Sequence, residues 1–110
     1  MEIERKYWSD IMIALDAITI HLEGIASFEE YASSLTVKDA VERRLIIIGE
    51  AVNKLVQLNP DVVIEDAQKI RAFRNRLVHS YDATDDAVVW TIITLHLPPL
   101  RILVQQRLSG

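Results

Sequence analysis

The sequence predicts an all-α bundle, and three observations carry that prediction. Apolar residues recur at spacings of three and four in separate stretches, the period of helices with a buried face. Glycine and proline are sparse, three of each, and fall where helices would end or bend. Isoleucine and valine are abundant, yet their spacing is helical, and no Asn-Gly or Asp-Gly pair offers a hairpin turn between strands.

From about Ile3 to His21, the residues Tyr7, Ile11, Ala14, Ile18 and Leu22 mark one face of an amphipathic helix that Gly24 ends. A short helical piece through Phe28, Glu29, Glu30 and Tyr31 precedes Ser33 and Ser34. Thr36, with Asp39 three residues on, has the spacing of a capping pair, opening a helix that Asn59 and Pro60 stop after Leu58. Its stripe is Val41, Leu45, Ile48, Val52 and Leu55. Leu45, Ile46, Ile47 and Ile48 also form an unbroken apolar run, wider than a one-sided surface helix needs. That width predicts a central helix whose second face meets another copy of the chain.

After Asp61 a fourth helix turns Ala67, Ile70, Phe73, Leu77 and Val78 inward, as far as the region of Ser80. Asp82, Thr84, Asp85 and Asp86 form a polar break, and Thr84 or Asp85 caps a last helix from about Ala87. Pro98 and Pro99 lack the N–H that a helix interior requires, so this helix kinks there before Leu100 to Leu108 resumes. The expectation is one domain over residues 1–110, an antiparallel bundle of four or five helices.

Half of the 110 residues are apolar, enough for one buried core. With no cysteine there is neither a disulfide nor a thiolate metal site. The charged start MEIERKYWSD does not read as a signal peptide, and no apolar stretch approaches the roughly 20 residues of a membrane span, so a cytoplasmic protein is expected. A net charge of -4 argues against coating nucleic acid by bulk electrostatics. Lys69, Arg71, Arg74 and Arg76, however, lie in a stretch with no acidic residue, which suits a few phosphate contacts at one site.

His21, His79 and His96 fall on separate helices without the spacing of metal ligands, so no metal and no cofactor are expected. His21 and His96 read as ordinary helix residues at a surface or interface. His79 stands in the basic stretch RNRLVHSY, Arg74 to Tyr81: an arginine, four residues, a histidine, one residue, a tyrosine. This string resembles the HEPN superfamily, whose nucleases carry Arg-x4-6-His, and its HepT branch, which carries Arg-x4-His-x-Tyr. Two further stretches match in order. RRLIIIGEAVNKL, Arg43 to Leu55, is similar to the family's central helix, and VVWTIITLHLPPLRILV, Val88 to Val104, to its last helix with a Leu-Pro-Pro-Leu kink. The chain departs where relatives show Ile-Pro-Trp and Gly-Met: it has Glu65, Asp66, Ala67 and then Ala72, Phe73, positions of helix entry and packing.

The resemblance implies a HEPN-type bundle and a metal-independent endoribonuclease toxin of a toxin–antitoxin pair, with Arg74 and His79 catalytic. Asn75, Arg76, Arg71 and Lys69 would support the site and bind RNA. It also implies that Tyr81 is adenylylated by a partner nucleotidyltransferase antitoxin of the MntA type, which silences the nuclease. The chemistry suits these residue types: histidine titrates near neutrality and serves as acid or base, while arginine stays charged and grips phosphate through paired hydrogen bonds. On a regular helix Arg74 and His79 project about 140° apart, whereas Asn75 and His79, four apart, share a face. One helix therefore does not aim both at one phosphate, and a homodimer with a composite site is expected. The competing reading is a non-catalytic helical subunit that partners a nucleotidyltransferase.

Overall fold

Serine oxygens open two of the helices. The computed structural model describes residues 2–79 and 85–110, His79 by its backbone. After α1 (Glu2–His21), Gly24 turns the chain with φ +83°, a conformation glycine adopts without strain. Ser27 then accepts a hydrogen bond from Glu30 N and opens α2 (Phe28–Ala32). Ser34 accepts one from Val37 N at 3.2 Å and opens α3 (Leu35–Leu58). Each satisfies a first-turn N–H that has no partner within its own helix. The capping pair expected at Thr36 and Asp39 is thus displaced by two residues. Ser34 has the extended backbone a cap requires, while Thr36 already lies inside the helix.

The expected stripe of α3 is buried in full, Val41, Leu45, Ile48, Val52 and Leu55 each at most 4 % exposed. α1 covers α3 most extensively and α4 lies against another side, so α3 is the central helix. Ile47 packs against the core and Ile46 is only half-buried, which accounts for most of the wide apolar run within one chain. On α1 the buried side is Trp8, Ile11, Ala14, Leu15 and Ile18, rotated slightly from the expected stripe, with Tyr7 and Leu22 at its edge.

Between α3 and α4 the Asn59 side chain accepts from Asp61 N, and Val62 and Ile64 tuck into the core. Asp66 adopts φ +62°, a left-handed conformation that Asp tolerates better than most residues, immediately before α4 (Ala67–His79). Ile70 and Phe73 anchor α4 inward, with Ala67 and Leu77 partly buried beside them.

Asp85 caps α5 (Asp86–Thr91) by accepting from Ala87 N at 2.9 Å; Thr84, the other expected cap, lies outside the described residues. A π-helical turn, Ile92–His96, follows and leads into α6 (Leu97–Ser109). The interruption expected at Pro98 and Pro99 is therefore taken up in the turn before them: the prolines offer no N–H to the residues behind, and Leu97 N reaches back five residues to Ile92 O. The run Asp86–Ser109, 24 residues with a window of mean hydropathy 1.7, is long and apolar enough to cross a membrane by length and composition. This corrects the expectation that no stretch approaches a span. In the bundle its Val89, Ile92, Leu97, Leu100 and Val104 are buried in the common core. Arg101 ties α6 to α1 through Asp16 at 2.8 Å, and Tyr31 fills the α2 end against Trp90, ring centroids 5.5 Å apart. Among the described residues there is no strand.

Candidate active site

The site is built where α4 crosses α3, and a glycine decides how close the two helices come. A Cβ on Gly49 would lie 2.3 Å from Arg74 Cβ and 2.7 Å from its Cγ, so the stem of Arg74 rests directly on bare α3 backbone. From there the guanidinium is held at two nitrogens. Nη1 donates to Asn75 Oδ1 at 2.8 Å, and Nη2 donates to Glu50 Oε1 at 3.4 Å. Nε is buried without a hydrogen-bond partner. The Arg74 side chain is 30 % exposed and that of Glu50 53 %, so their attraction is screened by water and contributes at most about 1 kcal/mol.

Beside this arginine a groove of about 670 Å³ runs between α3, the 62–64 segment and α4. Arg71, Arg74 and Asn75 line one wall, with Asn53 across from them on α3 and Gln68 further along α4. Two guanidinium groups and several amides on the wall of an open groove form a surface suited to phosphate and to the hydrogen-bonding edges of bases.

The four cations of the basic stretch do not form the single patch expected from the sequence. Lys69 and Arg76 line a second, mainly apolar groove of about 410 Å³ with Phe73, Val88, Ile92 and His96, while Arg71 and Arg74 line the first. At about 100° per residue, positions seven apart share one flank of a helix and positions three apart the other, which divides these residues in this way. Ala72, on the ridge between, borders both grooves.

His79 is the last residue of α4, one turn beyond Asn75, and its side chain lies outside the described residues, as does the whole of Tyr81. Two features around α4 join residues far apart in the sequence. Gly49 and Glu50 lie within the Arg43 to Leu55 stretch, but Glu50 meets Arg74 across 24 residues of sequence and Gly49 packs against the same side chain, relations with no local signal. His96, read as an ordinary helix residue, makes a 2.5 Å bond from Nδ1 to Asp66 Oδ2, with both side chains largely buried. That bond joins the π turn to the residue at which the chain enters α4. Among the described residues no three His, Cys, Asp or Glu side chains converge as a metal site.

Comparison with known proteins gives the family. The family model described as Ribonuclease HepT-like matches residues 11–107. The chain is 29 % identical to a protein of Caldanaerobacter subterraneus subsp. tengcongensis named a candidate RNase, over 99 % of this chain and 97 % of that one. It is 28 % identical to another so named from Methanocaldococcus jannaschii, over 88 % of this chain and 84 % of that one. A candidate ribonuclease HepT of Thermococcus cleftensis is 29 % identical over 88 % of both. No solved structure matches the chain. An all-α chain whose family match spans the central helix, the Arg74 helix and most of the last helix belongs to the HepT-like ribonuclease family, and its enzymatic class is that of an endoribonuclease.

Proposed function

We propose that this chain is a metal-independent endoribonuclease toxin that works as a homodimer, with Arg74 and His79 of both protomers around one RNA linkage. The observation that carries the reading is Arg74 itself, seated over Gly49 and lining, with Arg71 and Asn75, the groove between α3 and α4. In this mechanism His79 of one protomer takes the proton from a ribose 2'-hydroxyl, and the 2'-oxygen attacks the adjacent phosphorus. Arg74 stabilises the charge that grows on the phosphorane oxygens. The bond to the 5'-oxygen breaks as His79 of the other protomer supplies its proton, leaving a 2',3'-cyclic phosphate and a 5'-hydroxyl. Asn75 orients the arginine, Arg71 takes a neighbouring phosphate, and Lys69 and Arg76 meet the strand on the far flank of α4.

Silencing follows from the family resemblance. A partner nucleotidyltransferase transfers AMP from ATP to the Tyr81 oxygen and releases pyrophosphate. The new anionic group, two residues from His79, repels incoming RNA phosphate and fills space beside the cleft. The test is direct: purified protein incubated with total RNA in EDTA cleaves it, and His79→Ala does not. Cleavage that requires an added divalent metal contradicts the proposal.

A further inference from the structure

We propose that Glu50 is a positioning residue that sets the rotation of the Arg74 guanidinium, so that its two Nη groups are turned toward the scissile phosphate. The inference rests on the reading of Arg74 as the phosphate-gripping group. Three observations support it. The stem is fixed first, because Gly49 admits Arg74 Cβ and Cγ to a place no other residue type would leave open. The Nε edge is closed next: Nε is buried and makes no hydrogen bond, so the side-on fork of Nε and Nη2 is not offered to a ligand. What remains free is the twist of the planar group, and this is held from two elements, by Asn75 of α4 at Nη1 and by Glu50 of α3 at Nη2.

A guanidinium carries five N–H groups. With Nε–H buried and one hydrogen on each Nη engaged, one hydrogen on each Nη remains for two phosphate oxygens, the pairing that makes arginine–phosphate contacts directional. The exposure of Glu50 points the same way. A half-exposed pair at 3.4 Å adds little stability, so its effect lies in where the arginine points.

The experiment uses the purified full chain and a single-stranded RNA oligonucleotide. Glu50→Ala lowers kcat about tenfold or more, as expected for about 1.4 kcal/mol or more of lost transition-state stabilisation, with KM changed less than about twofold. Glu50→Gln keeps an acceptor oxygen and recovers most of kcat, and both variants melt with the wild type. Arginine side-chain NMR gives a second readout that needs no activity: the Nη signals of Arg74 are distinct in the wild type, through hindered rotation, and averaged in Glu50→Ala. Unchanged or raised kcat in Glu50→Ala overturns the inference, the latter by showing that Glu50 masks the arginine. Equal losses in both variants with a lowered melting point overturn it as well, as a purely structural effect. If the wild type cleaves no RNA, the reading of activity fails by itself, and the NMR then decides: Nη signals averaged in both proteins refute the positioning role, and hindered rotation lost in Glu50→Ala upholds it.

Discussion

Replacing Gly49 by alanine tests the close approach of α3 and α4 on which the site depends. In a helix interior this change ordinarily stabilises by about 1 kcal/mol, since alanine is the better helix former. Here the new methyl would sit 2.3 Å from Arg74 Cβ, an atom fixed to its own backbone, so swinging a flexible tip aside does not relieve the overlap. To reach ordinary contact α4 must move away by about an ångström. Overpacking of this kind costs about 1–3 kcal/mol, which leaves a net destabilisation of up to about 2 kcal/mol. The effect on catalysis is larger, because a displacement of about 1 Å in a positioned group lowers rate on the order of 10²-fold. Urea unfolding measures the first quantity and single-turnover cleavage of an RNA oligonucleotide the second. A Gly49→Ala protein about 1 kcal/mol more stable than the wild type, with undiminished cleavage, would refute the argument.

Further outcomes are expected. Sedimentation gives a species of twice the 12.6 kDa chain mass, and on dilution through the dimer's dissociation range cleavage falls more steeply than concentration; a monomer with strictly proportional activity rules out the composite site. Ser34→Ala destabilises by about 1 kcal/mol in chemical denaturation while Thr36→Ala changes little, the reverse order returning the cap to Thr36. Burial pushes the Tyr31 phenol up from its ordinary value of 10.0, with the carboxylates of Glu42 and Asp86 adding to the shift. Since the folded value lies above the unfolded one, stability is intact below pH 10 and falls above it by up to about 1.4 kcal/mol per pH unit, a slope that Tyr31→Phe abolishes in alkaline unfolding curves.

The helices were legible because their signal is local and repeated. The stripe from Val41 to Leu55 and the inward Ile70 and Phe73 follow from periodicity alone. Choosing between neighbouring caps was beyond that signal: Ser34 and Thr36 both carry a suitable hydroxyl, and the backbone at Ser34 decided the matter. The prolines announced a break, but its form as a π turn depended on how five buried residues between Val89 and Val104 keep facing the core on both sides of it. Arg74 stood out through its motif, whereas the groups that hold it did not, since Glu50 meets it only once α3 and α4 have packed. The same holds for the 2.5 Å Asp66–His96 bond, whose partners are 30 residues apart. The division of the basic stretch into two flanks was available from helix geometry, but net charge along the sequence conceals it.

The most direct test of the account is the chemistry of the ends it leaves. RNA treated with the purified protein in EDTA, and analysed by mass spectrometry, should carry 2',3'-cyclic phosphate and 5'-hydroxyl termini that are absent after Arg74→Ala or His79→Ala. Termini bearing a 5'-phosphate, formed only when a divalent metal is added and unchanged in either variant, would contradict it.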